Sequence, residues 1–171
     1  MALHIVLFEP EIPQNTGNIA RTCAATGAVL HLVHPLGFSI DDKQVKRAGL
    51  DYWHLLTLHE YPDIPTFLTT HADKPLWFCT TKAQLTYSDA AYGTEAYLVF
   101  GRESAGIPEE VLVRYPRQCV RIPMVADARS LNLSNSVAVM AYEFERQRNF
   151  VGLLREGTLH RLNWPTEAQS G

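Results

Sequence analysis

Apolar and polar positions fall in blocks along the chain rather than singly. Residues 3–8 form a near-continuous apolar run, as a strand buried on both faces requires, and Glu9-Pro10-Glu11-Ile12-Pro13 stops it. Residues 16–26 then read as a helix: Ile19 and Cys23 lie four apart on one face, and Gly27 stands where a C-terminal cap belongs. Val29–Val33 is a second strand, ended by His34-Pro35. Ser39, with Asp42 three residues on, opens a short helix to about Ala48 in the manner of a capping box. Further strands are predicted near 53–58, 76–79, 96–100 and 119–122, with helices over 64–72 and 108–114. The last element runs from Ser136 to about Asn149. There Val137, Met140, Ala141 and Phe144 make one apolar stripe, with Glu143, Arg146 and Gln147 off it. Strands alternating with helices imply an α/β fold, a parallel sheet with helices on both faces.

Composition narrows the class. At 171 residues the chain suits a single domain, and 46% hydrophobic against 19% charged residues excludes a disordered chain. No apolar run approaches the roughly 18 residues of a membrane helix. The amino terminus lacks the basic start of a signal peptide, and Cys23, Cys79 and Cys119 are too few and scattered for a disulfide scaffold. The expectation is a cytoplasmic protein with one domain over residues 1–150 and a mobile tail over 151–171. A net charge of −3 counts against a nucleic-acid partner, but phosphate contacts depend on local clusters. Arg114, Arg117, Arg121 and Arg129 share their stretch with a single acid, Asp127. Lys43, Lys46 and Arg47 form a second cluster, Arg146 and Arg148 a third.

A nucleotide-type ligand is expected at the carboxyl ends of the strands. The place of the usual GxGxxG turn is taken by Glu9-Pro10-Glu11-Ile12-Pro13-Gln14-Asn15, which disfavours an ordinary dinucleotide fold. Glycines and polar residues gather instead in residues 100–108 and 122–136, after two later strands. Each feature also has a plainer use. Asn15 and Thr16 could cap the first helix, Ser134 or Asn135 the last, and residues 101–103 could be a simple turn. His31 and His34 have no carboxylate or cysteine nearby in the chain, so no metal is expected. No nucleophile elbow is present.

Together these segments resemble a family. Asn15-Thr16-Gly17-Asn18-Ile19-Ala20-Arg21, then Phe100-Gly101-x-Glu103-x-x-Gly106-Ile107-Pro108, then Ile122-Pro123-Met124 with Ser130-Leu131-Asn132-Leu133-Ser134-Asn135-Ser136 are similar to the three ordered motifs of the SpoU branch of SPOUT RNA 2′-O-methyltransferases. The stretch from Glu9 to Asn18, Pro35-Leu36-Gly37-Phe38 and Ala48-Gly49-Leu50-Asp51-Tyr52 resemble the TrmL (YibK) subgroup, which methylates the wobble nucleotide of certain leucine tRNAs. The resemblance spans roughly residues 3–150.

It implies a C-terminal trefoil knot, a rare exception to the rule against threaded chains. It also implies S-adenosylmethionine as cofactor, leaving as S-adenosylhomocysteine, in a pocket that includes Cys79, Gly101, Ile122, Ser130 and Leu131. The catalytic set carried over is Asn15, Arg21, Glu103, Ser130 and Asn132. Arg21 is often cast as the base, but a guanidinium hardly deprotonates, so holding the nucleotide's phosphate suits it better. Glu103 would anchor either Arg21 or the loop geometry. The partners implied are a tRNA anticodon stem-loop and a second copy of the chain. The stripe at Val137, Met140, Ala141 and Phe144 is expected to form the dimer seam, its plainer use being to cover its own sheet. A dimer would pool Arg114, Arg117 and Arg129 with Lys43, Lys46 and Arg47 for RNA. Subgroup members read Gly-Pro-Glu-Thr-Arg-Gly where this chain has Gly101-Arg102-Glu103-Ser104-Ala105-Gly106, which bears on substrate choice. The alternatives are transfer to another tRNA site or to rRNA, and an RNA-binding protein without turnover.

Overall fold

A computed structural model of the protein describes residues 2–40 and 55–165. In chain order the elements are β1 (Ala2–Phe8), α1 (Pro13–Thr26), β2 (Val29–Val33), β3 (Leu58–Tyr61), α2 (Ile64–Thr70), β4 (Leu76–Cys79) and β5 (Leu85–Thr86). A 3₁₀ turn (Tyr87–Asp89), β6 (Glu95–Phe100), α3 (Glu109–Leu112), β7 (Cys119–Arg121) and α4 (Leu133–Gln147) follow. The strands form one sheet in the order β3-β2-β1-β6-β4-β7-β5, and every pairing is parallel.

Because successive side chains of a strand point to opposite faces, β1 feeds two cores. Leu3, Ile5 and Leu7 join Ile19 and Cys23 of α1 and the apolar side of α4. Val6 and Phe8 join Phe67 and Leu68 of α2 and Val111 of α3. Helices covering both faces explain the unbroken apolar runs of β1 and β6.

The elements at the rims depart from expectation. Helix α1 starts at Pro13, not at 16, because a proline is tolerated in the first helical turn. Gly27 does cap it, at φ 71°. The strand expected over 53–58 begins only at Leu58; it is an edge strand, where Leu58-His59-Glu60-Tyr61 can be polar because one side needs no cover. Helix α3 spans only Glu109–Leu112, and the two-residue β5 is too short for any period to announce. Helix α4 starts at Leu133 and is capped by Asn132, whose side chain accepts from the amides of Ser134 and Asn135; neither of those two is the cap. The helix expected from Ser39 to Ala48 falls almost wholly outside the described residues, as do Lys43, Lys46 and Arg47. Residues 151–165 carry no helix or strand.

The apolar stripe of α4 is not an exposed seam. Val137, Met140, Ala141 and Phe144 are all 0% exposed, packed into the core beneath α4. A parallel sheet needs its face covered, and α4 spends its stripe there. Its outward side instead shows Val139 and Tyr142, 37% and 48% exposed.

Candidate active site

The carboxyl ends of β4, β6 and β7 open on a cavity of about 470 Å³. All five residues expected to hold a cofactor, Cys79, Gly101, Ile122, Ser130 and Leu131, line it. Asn15, Glu103 and Asn132 line it as well. Sequence reasoning missed Thr80, Thr81 and Lys82 on the loop after β4, and Met140 of α4 at the cavity's base. The rule that ligands sit beyond the carboxyl ends of parallel strands was the available signal for the first three.

The loop after β6 is a tight hairpin. The Gly106 amide donates to the Arg102 carbonyl at 2.8 Å, and Gly106 sits at φ +72°. A Cβ on Gly101 would lie 2.0 Å from the Gly106 carbonyl carbon. Gly101 is therefore required by the hairpin's own backbone, ahead of any ligand.

Helix α1 starts without a side-chain cap of its own and with no acid in its first turn. Glu103 supplies the missing carboxylate from the hairpin. Its oxygens accept from the amides of Glu11 at 2.8 Å and Ile12 at 3.2 Å, and from Asn15 Nδ2 at 3.0 Å. A carboxylate is favoured there because the amides and the helix dipole both face it. Asn15 in turn accepts on Oδ1 from Asn132 Nδ2 at 3.0 Å, and Asn132 Oδ1 caps α4, accepting from the Ser134 amide at 2.9 Å. Every amide orientation in this line follows from the charge at its end, so Glu103, Asn15 and Asn132 hold one geometry. Glu103 thus anchors the loop.

Other expected residues lie apart. Arg21 is exposed on α1, six positions beyond Asn15 or about 9 Å along the axis, outside the cavity lining. Arg129 is exposed on the 122–132 loop at the cavity's end of the sheet. Arg114 and Arg117 precede β7 and so lie toward its amino-terminal end, away from the cavity. Arg102, which replaces the proline of the subgroup's motif, forms an ion pair with Glu9. Burial pushes the Cys79 thiol well above its usual range, so Cys79 is an uncharged wall and not a nucleophile. Among the described residues there is no group of three metal-ligating side chains and no helix long and apolar enough to cross a membrane.

This geometry meets known proteins at the level of family. The model of the SpoU rRNA Methylase family matches residues 2–142. The chain belongs to that family. A tRNA (cytidine(34)-2′-O)-methyltransferase of Aeromonas hydrophila is 48% identical over 155 residues, covering 90% of this chain and 99% of that one. A solved structure concerned with the 2-OH methylation of C/U34 on tRNA matches at 44% identity and TM-score 0.83, over 87% of this chain and 97% of its own. An AdoMet-bound rRNA methyltransferase from Sinorhizobium meliloti, 25% identical, matches at TM-score 0.77 over 85% of this chain and 56% of its own. The cavity lies where the three motifs of the sequence meet.

Proposed function

We propose that this protein transfers a methyl group from S-adenosylmethionine to the ribose 2′-hydroxyl of nucleotide 34, the wobble position, of tRNA. The observation that carries the reading is near-half identity, along almost the whole chain, to relatives named for that reaction. Leucine tRNAs are the substrates implied by the subgroup resemblance.

The cavity suits the cofactor. Its volume of about 470 Å³ is in the range of small-molecule sites. Cys79, Ile122 and Leu131 offer apolar wall, while Gly101 and Gly106 leave hairpin backbone bare. When bound, S-adenosylmethionine supplies an electrophilic methyl on a sulfonium. Transfer of that methyl to the ribose oxygen would leave S-adenosylhomocysteine, with the hydroxyl proton passing to solvent water. In-line transfer depends chiefly on alignment. Asn15 and Asn132 present fixed amides at the cavity's edge, Ser130 presents a hydroxyl, and Glu103 holds the first two in register. Arg21, permanently charged, holds the phosphate of the reacting nucleotide and favours its alkoxide.

The protein acts as a homodimer in the cytoplasm on this reading. Its seam is the outward ridge of α4, Val139 and Tyr142, with Ala25 of α1 and the fully exposed Leu154, rather than the buried stripe. A two-fold pairing buries one patch on both copies. Sedimentation of Tyr142→Glu as an unchanged dimer would refute that seam. A trefoil knot belongs to the same reading, and the position of β7 between β4 and β5, the strands that residues 80–84 join, supports it. The deciding experiment is methyl incorporation from labelled S-adenosylmethionine into bulk tRNA and rRNA, followed by mapping of the ribose. Label at nucleotide 34 supports the reading. Label elsewhere in tRNA or in rRNA supports the second enzyme reading, and binding without label a non-catalytic RNA-binding protein.

A further inference from the structure

Glu11 lies outside the cavity lining, yet both of its carboxylate oxygens are engaged. Oε2 accepts from the Ser104 amide at 2.8 Å and Oε1 from the Ser104 hydroxyl at 2.8 Å. Glu103, next to Ser104, accepts from the Glu11 amide at 2.8 Å. Glu11 and the Glu103-Ser104 pair therefore exchange side-chain and backbone bonds across 92 and 93 positions of sequence, much as a capping box does across three. The ion pair of Glu9 with Arg102 adds a third arm on the same two segments.

The other side of Glu11 is blocked by backbone. The Gly37 amide donates to the Pro10 carbonyl at 2.9 Å, and a Cβ on Gly37 would lie 2.8 Å from the Glu11 Cα and carbonyl oxygen. Glu11 thus stands between a backbone stop at Gly37 and the tip of the hairpin that walls the cavity. The hairpin tip itself, Ser104 to Gly106, is exposed. A short exposed loop opens easily unless polar bonds hold it.

We propose that Glu11 is a positioning residue for methyl transfer, holding the 101–107 hairpin closed on the start of α1 through Ser104 and so setting the wall of the cofactor cavity. This rests on the reading of the cavity given under Proposed function. Because Glu103 keeps its own bonds to the Ile12 amide and Asn15 when Glu11 is truncated, the loss should fall on cofactor affinity more than on the transfer step.

The test is calorimetry with S-adenosylmethionine, paired with kinetics at saturating cofactor. Glu11→Ala should weaken binding about tenfold while kcat stays within about threefold. Glu11→Gln, which keeps one acceptor for Ser104, should recover most of that affinity. Gly37→Ala, which touches neither hairpin nor cavity, should fall between Glu11→Ala and wild type. Amide exchange gives a readout independent of the ligand: Ser104 should exchange faster in Glu11→Ala while β1 and β6 amides do not. Wild-type affinity in Glu11→Ala, or unchanged Ser104 exchange, overturns the proposal. A wild-type protein that binds no S-adenosylmethionine overturns the cavity reading instead, and the Ser104 exchange then still decides whether Glu11 holds the hairpin.

Discussion

Two polar networks sit in this one parallel sheet, and they solve opposite problems. At the carboxyl ends, Glu11 and Glu103 carry charge, face the cavity's edge, and answer backbone amides. Under α2, His4, His31, Tyr61 and His71 form a hydrogen-bonded line. His71 Nδ1 donates to the Phe67 carbonyl at 3.0 Å, and its Nε2 lies 3.5 Å from the Tyr61 hydroxyl. That hydroxyl lies 3.0 Å from His31 Nδ1, and His31 Nε2 lies 2.9 Å from His4 Nδ1. His31 is buried, and a charge there would face His4, His59 and His71; His4 has a carboxylate within reach, Glu95 at 3.8 Å. Burial accordingly lowers His4 to about 4 and His31 to about 3. A buried network persists by being neutral and fully paired, whereas one at a cavity rim can use charge to orient loops.

The contrast can be broken most severely in the buried network. His31→Ala removes a 2%-exposed side chain and takes a hydrogen-bond partner from both Tyr61 and His4, and should cost about 3 kcal/mol in urea unfolding. Methyl transfer per folded molecule should not change. Glu103→Ala should do the reverse: a loss of about 100-fold in methyl transfer from misplaced Asn15 and Asn132, with little loss of melting temperature. A large drop in stability with normal turnover would reverse the roles of the two networks.

Acid sharpens the contrast next. The unfolded histidines take protons near 6.5, while His4 and His31 in the fold resist them down to about 4 and 3. The folded state binds fewer protons in that window, so stability is complete above pH 6.5 and falls as pH drops toward 4. The slope should approach about 1.4 kcal/mol per pH unit for each histidine, and His31→Phe should flatten it. Denaturant midpoints between pH 7 and 4.5 would measure this, and a flat profile would disprove the neutral line. The smallest effect belongs to Ser104→Ala, which loses a hydroxyl but keeps the amide bond to Glu11. Cofactor affinity should weaken about threefold by calorimetry, and a tenfold loss would mean the hydroxyl, not the amide, carries the contact.

The same division separates what was legible in the chain from what was not. Runs such as Val29–Val33 and Glu95–Phe100, the cap at Gly27 and the alternation of strand with helix were readable, because burial on two faces and left-handed backbone leave local marks. The three motifs and their cavity were readable too, since Gly101, Ile122 and Leu131 follow strands whose carboxyl ends form ligand sites. The rims were not: β5 is two residues long, and β3 is a polar edge whose pairing comes from its neighbour's backbone.

Sequence by itself determined the α/β class, the family and many of the residues gathered at the cavity, Cys79, Gly101, Ile122, Ser130 and Leu131 among them. Only the tertiary structure decided how they are used. It turned the stripe of α4 inward, because an uncovered sheet face costs more than an exposed Val139 and Tyr142. It moved Glu103 from an acid of open role to the cap of a helix 88 residues away. It separated Arg114 and Arg117 from the cavity that Arg129 adjoins. Partners in a parallel sheet are chosen by crossovers and packing across the whole chain, and no local pattern records them.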